Sequence, residues 1–153
     1  MFVDVFEQAH ATAPAEISLD LDATDDLIYD MQEGRFFHVY YSHYCYLPLC
    51  IFAGEQLLCA RLRPSNPDAS AGALEDMARI VAQLRAVWPA VPITLSADSG
   101  FCRDMPMTWC EKHAVVYGFG LAKKNARLIA LIAKKLTGAA ATCTETQQPA
   151  RVK

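Results

Sequence analysis

Two stretches of the sequence end in an aspartate after a run in which apolar and polar residues alternate. The first covers 17–22 and ends at Asp22, and the second covers 93–98 and ends at Asp98. Because successive strand side chains point to opposite faces, each run predicts a β-strand with its acid on the polar face. Two carboxylates at neighbouring strand ends form a hard oxygen site suited to Mg²⁺, which needs few protein ligands and keeps waters for a substrate phosphate.

Helices and further strands are predicted on both sides of these runs. Apolar residues spaced by three and four indicate the helices, and aromatic and β-branched residues indicate a strand over 36–44. Gly54-Glu55-Gln56 suits a hairpin turn, and Asp104 is predicted to cap a helix with Pro106 in its first turn. The predicted elements are helices over 2–10, 74–88, 103–113 and 125–138, and strands over 17–22, 36–44, 46–53, 57–62, 93–98 and 115–121. This order predicts an α/β sheet of mixed strand directions with helices on its faces.

Length and composition indicate one domain of ordinary size. The chain has 153 residues, of which 53% are hydrophobic, enough for one core. A net charge of -3 gives no overall basic field, so contacts with nucleic acid must come from local Lys and Arg. No apolar run is long enough to span a membrane and the N-terminus has no basic region, which predicts a soluble cytoplasmic protein without a membrane partner. The 6 cysteines form no C-x-x-C pair and are predicted to be reduced and mostly buried.

Several short segments follow one another along the chain: LDLDATDD at 19–26, QEGRFFH at 32–38, YSHYCYLPL at 41–49, LRPSN at 62–66 and DSGF at 98–101. Together they resemble the catalytic core of bacterial insertion-sequence transposases of the DDE class. The core of that family resembles ribonuclease H in fold, so the resemblance implies a mixed sheet with antiparallel first strands followed by parallel strands. We therefore expect a partial catalytic domain over 1–138, followed by a loose tail over 139–153 that has no apolar face to bury.

The resemblance implies a transposase that cleaves and transfers DNA strands by two-metal phosphoryl transfer. It also implies that Asp22 is the first catalytic acid and Asp98 the second, and that both bind Mg²⁺ or Mn²⁺. The implied partner is DNA at the ends of an insertion sequence, with a homodimer expected for the full-length protein. The candidates for DNA phosphate contacts are Arg103, Lys123 and Lys124, the basic residues nearest to the second acid.

The third acid of the family, a glutamate, is expected downstream of the second. The chain ends at Lys153, about where the family continues towards that glutamate, and Glu145 lies too early to replace it. The sequence therefore predicts a fragment that is inactive alone, because two of three carboxylates cannot hold both metals. Glu33 is the first candidate for a substitute acid.

Two other functions remain open for the same residues. The segment 17–24 also fits the D-x-D-x-T signature of haloacid-dehalogenase-like phosphatases, with Asp20 as nucleophile and Asp22 as acid. The glycine-rich turn, the phosphate-binding lysine and the final acid pair of that family are not evident. A non-catalytic transposase remnant that survives as a folded or oligomerising module is the third hypothesis.

Four further polar residues have a structural interpretation. Asp25 and Asp26 fit solvated loop or cap carboxylates at least as well as a site. His38 and His43 fall on opposite faces of one predicted strand, which argues against joint metal binding. We therefore expect core or surface histidines here.

Overall fold

The computed structural model describes residues 2–121, 130 and 133–134. Within this part of the chain, α1 (Phe2–Ala9), α2 (Ala73–Val87) and α3 (Asp104–Lys112) are the helices. The strands are β1 (Ile17–Asp22), β2 (Asp26–Leu27), β3 (Phe36–His38), β4 (His43–Tyr46), β5 (Leu49–Ala53), β6 (Gln56–Arg61), β7 (Ile93–Ala97) and β8 (Val116–Phe119).

A mixed sheet has the strand order β6, β5, β1, β7, β8. β1 and β5 are antiparallel, as are β5 and β6, whereas β7 is parallel to β1 and β8 is parallel to β7. Gly54, at a φ of 58° that glycine adopts readily, helps close the tight β5–β6 hairpin, while α2 and α3 make the longer crossovers that parallel strands require. This is the topology of a ribonuclease H-like fold, and the predicted fold class is confirmed.

One face of this sheet packs against helices to form the core. Along β1 the predicted alternation is observed, because Ile17, Leu19 and Leu21 are buried and the residues between them are exposed. Each fully buried aliphatic side chain contributes roughly 1.5–3 kcal/mol. The core also includes Val3 and Phe6 of α1, Met77, Ile80 and Leu84 of α2, and Ile93 and Leu95 of β7. The opposite face of β1 is left for its acids.

The remaining strands form a separate small sheet in the order β2, β4, β3. The predicted single strand over 36–44 is wrong, because the chain turns at 39–42 and pairs β3 with β4 as a hairpin. The aromatic run has no Gly or Pro to indicate this turn, which instead uses Ser42 at a φ of 59°. His38 and His43 are therefore directly opposite each other across the hairpin, instead of on two faces of one strand.

Two predicted features of the second half differ from the structure or lie outside it. Asp104 does not cap α3, because it is the first helical residue and Arg103 precedes it without a side-chain cap. Compactness divides the chain into units of residues 1–120 and 121–153. The helix predicted over 125–138 lies outside the described residues, except at 130 and 133–134, which are helical. The predicted tail over 139–153 also lies outside them.

Most described cysteines lie in the interior as free thiols. Cys45, Cys59 and Cys110 are buried, and no disulfide forms among the cysteines of the described part. Burial raises the pKa of the Cys110 thiol to about 11, which keeps it protonated at neutral pH.

Candidate active site

The strand register brings the two predicted acids to adjacent strand ends. β1 and β7 are parallel, and Leu21 is paired with Ala97. Asp22 directly follows Leu21 and Asp98 directly follows Ala97, so the two acids come at the same level of the sheet. The pair before Leu21 and Ala97 is Asp20 and Ser96, and the Ser96 hydroxyl donates a 2.7 Å hydrogen bond to the Asp20 carboxylate. These two side chains therefore lie on the same, polar face of the sheet. Neighbouring strands lie about 4.8 Å apart, so the backbones that carry the two acids are close together.

Local hydrogen bonds orient both carboxylates. The Thr24 hydroxyl donates to Oδ2 of Asp22 at 2.6 Å, and the backbone N–H of Gly100 donates to Oδ1 of Asp98 at 2.8 Å. Both aspartates are exposed to solvent. Each carboxylate thus has one oxygen fixed by its own loop, while the other oxygen accepts no hydrogen bond from a described residue.

Gly120, which follows β8, supports the backbone of Asp98. Its N–H donates to the carbonyl oxygen of Ala97 at 2.9 Å. A Cβ atom added at Gly120 would lie 3.0 Å from the Ser99 nitrogen and 3.2 Å from the Asp98 carbonyl carbon. Only glycine allows this approach without displacing the loop of the second acid. Sequence reasoning missed this residue, for which the only signal was a glycine directly after a strand.

The donor chemistry of the two aspartates fits a hard divalent cation. Carboxylate oxygens are preferred ligands of Mg²⁺, which needs few protein ligands and retains waters. Within the described residues, however, no group of three or more His, Cys, Asp or Glu side chains could hold a metal ion. Neither aspartate is therefore part of a three-ligand group within the described residues, and Glu145 lies outside them.

A family model for the transposase DDE domain, group 1, matches residues 1–153. The chain belongs to this transposase family. A comparison with curated proteins gave no match. Family membership confirms the predicted resemblance, and it supports a role in DNA transposition, where such domains act on DNA and generally use divalent metal ions. No helix in the described part of this transposase domain is long and apolar enough to cross a membrane.

The basic residues of the transposase domain have different environments. Arg103 forms a 2.8 Å ion pair with Asp68, and both side chains are about half exposed. Arg63 is buried and donates to the carbonyl oxygens of Leu47, Ala69 and Ala71, so it holds loops together. Lys123 and Lys124 lie outside the described residues.

An aromatic cluster that sequence reasoning did not identify in the transposase domain surrounds His43, which contacts Asp25 three residues after the first predicted acid. Nε2 of His43 is 2.7 Å from Oδ2 of Asp25, and the Tyr41 ring stacks on His43 with 6.0 Å between centroids. Partial burial raises the pKa of the Tyr41 phenol, and the negative charges of Asp25, Asp98 and Asp22 raise it further. The phenol therefore lies within electrostatic reach of both candidate catalytic acids.

Proposed function

We propose that Asp22 and Asp98 are the first two catalytic acids of a DNA transposase and that they bind Mg²⁺ or Mn²⁺. The observation that carries the proposal is the parallel β1–β7 register, which sets both acids at adjacent strand ends. Exposure of both carboxylates gives a DNA phosphate access to them. The DNA at the ends of an insertion sequence is the substrate, and the reaction is strand cleavage and transfer.

The residues around the acids prepare them for this role. Thr24 and the Gly100 N–H each hold one oxygen of a carboxylate, so the remaining oxygens are oriented before a cation arrives. Preorganised ligands lose less conformational freedom on binding. A bound divalent ion stabilises negative charge on the reacting phosphate and lowers the pKa of the attacking hydroxyl.

We further infer that the 153-residue chain does not cut DNA unaided. A pair of divalent ions about 3.5–4 Å apart needs more carboxylate ligands than Asp22 and Asp98 supply. The lack of a three-ligand group among the described residues supports this inference. Metal-dependent nicking of end-bearing DNA by the purified chain, lost in Asp98→Asn, would contradict it and direct the search for a third acid to Glu33.

The phosphatase alternative has less support than the transposase. It requires Asp20 as a nucleophile, but the Asp20 carboxylate accepts a hydrogen bond from the Ser96 hydroxyl. The match to the transposase family also covers the whole chain. In an active transposase that contains this domain, we expect Asp22→Asn to abolish DNA cleavage and Asp20→Asn only to reduce it. Loss of phosphate-ester hydrolysis in Asp20→Asn would favour the phosphatase instead.

A direct test of the metal site uses paramagnetic broadening by Mn²⁺ in amide NMR spectra of the chain. We expect broadening centred on residues 22–24 and 98–100 in the wild type, with strong reduction in Asp22→Asn and Asp98→Asn. Asp20→Asn is the matched control, because it removes a charge from the same face of β1 and should keep the broadening. Uniform broadening, or broadening that survives in both Asp22→Asn and Asp98→Asn, would contradict the proposal.

A further inference from the structure

The turn of the β3–β4 hairpin holds a tyrosine that neither the fold nor the metal ligands explain. The Tyr41 ring packs against His38, 4.9 Å between centroids, and stacks on His43 with an interplanar angle of 25°. His43 is fixed in turn by its 2.7 Å contact with Asp25. These contacts orient the Tyr41 ring without using its hydroxyl.

The hairpin turn is tied to the first acid through Asp25. Asp25 follows Asp22 by three residues, so their Cα atoms are at most about 11 Å apart even in an extended chain. The charges of Asp25, Asp98 and Asp22 all act on the Tyr41 phenol. Contacts therefore lead from the Tyr41 ring through His43 and Asp25 to the segment that directly follows Asp22, and the charges of both proposed metal ligands act on the phenol.

The Tyr41 hydroxyl is a free donor in this position. It makes no hydrogen bond to another described residue, and partial burial, followed by the surrounding negative charge, favours its neutral, protonated form. A neutral donor does not compete with the carboxylates for a cation, yet it can bond to an anionic oxygen. Hydrogen bonds to charged acceptors are stronger than those between neutral groups.

We propose that Tyr41 contacts the DNA substrate, its hydroxyl donating a hydrogen bond to a non-bridging oxygen of the phosphate held beside Asp22 and Asp98. The inference rests on the proposed function, since it places the reacting phosphate at these two acids. His43 and Asp25 act as positioning residues that hold the Tyr41 ring.

The test compares Tyr41→Phe with the wild-type chain, because this change removes the hydroxyl and keeps the ring. Tyr40→Phe is the matched control: Tyr40 is the neighbouring residue, its ring is 5.0 Å from that of Tyr41, and it is 84% exposed. The probe is a fluorescein-labelled DNA duplex of random sequence, and fluorescence anisotropy in Mg²⁺ measures affinity. We expect Tyr41→Phe to weaken binding about 10-fold and Tyr40→Phe to change it less than about 2-fold.

Two further measurements separate the possible causes of a change. Thermal unfolding of Tyr41→Phe should match the wild type, and Mn²⁺ broadening at residues 22–24 and 98–100 should persist. If the wild type shows no such broadening, the proposal that Asp22 and Asp98 bind the metal fails. The ratio of the DNA affinities of Tyr41→Phe and the wild type tests the role of Tyr41 separately. Wild-type affinity in Tyr41→Phe, an equal loss in Tyr40→Phe, or no binding of the duplex by the wild-type chain would each overturn the Tyr41 proposal.

Discussion

The large and small sheets of this transposase domain are held together in different ways. β1 and β7 of the large sheet bury one whole apolar face, and Leu19 and Leu95 are completely inaccessible to solvent. In the small sheet and its turns many large side chains remain exposed, including Phe37 at 53%. Specific polar contacts help to hold the small sheet in place, such as the His43–Asp25 pair and the hydrogen bond that the Ser65 hydroxyl donates to the Phe36 carbonyl oxygen.

This difference separates the support of the site from its surroundings. The large sheet places Asp22 and Asp98 through strand register, so their position depends on the stability of the fold. The small sheet places Tyr41 through a few polar and aromatic contacts, so its position can change while the fold persists. Loops positioned by a rigid scaffold commonly carry function in this way.

The largest expected effect comes from removing core volume in the large sheet. Leu19→Ala should lower the free energy of unfolding by about 2–5 kcal/mol, because it leaves a cavity at a fully buried position. Phe37→Ala in the small sheet should cost markedly less, since half of that side chain is already exposed. Chemical denaturation of both variants provides the measurement. Equal losses would show that the small sheet is held by burial as well.

A smaller effect is expected where the large sheet supports the second acid. Gly120→Ala should cost about 1–3 kcal/mol, because its Cβ would press against the Asp98 loop at 3.0–3.2 Å. Gly118→Ala, two residues earlier and within β8, has no atom within 4 Å of its Cβ and should be neutral or slightly stabilising. Denaturation curves together with the amide shifts of residues 98–100 test the pair. Unchanged shifts in Gly120→Ala would rule out this support of Asp98.

In the small sheet, breaking the His43–Asp25 pair should alter the site more than the stability. Asp25→Asn is expected to cost only about 1 kcal/mol, because the pair is partly exposed. The Tyr41 ring resonances should nevertheless shift, since His43 loses the partner that orients it. Asp26→Asn, at the next residue and the first of β2, is the control. Similar ring shifts in both variants would contradict a specific role for the pair.

The smallest effect is expected from acid titration of Asp68, an exposed contact outside the core. The Ser70 hydroxyl, and after it Arg103, lowers the pKa of Asp68 from 3.8 to about 2, despite partial desolvation. A carboxyl with a lowered folded-state pKa stabilises the fold above about pH 4, and this contribution disappears as the pH falls towards 2. Solvent screening at this half-exposed pair limits it to less than about 1 kcal/mol.

Comparing unfolding free energies of the wild type and Asp68→Asn at pH 6 and near pH 2 measures that contribution. The two proteins should differ at the higher pH and converge at the lower one. A difference that stays constant across this range would assign the effect to packing instead of charge.

Sequence reasoning was most successful for elements with an unbroken local pattern. The alternation at 17–22 and 93–98 and the helical spacing at 74–88 predicted β1, β7 and α2 closely. The aromatic run over 36–44 failed as a single strand, because the turn within it relies on a serine in a left-handed conformation and on pairing across the hairpin. The predicted start of α3 also differed from the structure, because Asp104 is the first helical residue and makes no capping hydrogen bond.

The sequence by itself determined the family, the fold class and the positions of the two acids, because each depends on short motifs and local periodicity. Only the tertiary structure decided the contacts that support the surrounding loops. Gly120 approaches Asp98 through β7–β8 pairing, and Tyr41 is oriented by His43 and Asp25. The Gly120–Asp98 and His43–Asp25 contacts join residues far apart in the chain, and no local pattern of side chains specifies them, because strand pairing and packing bring them together.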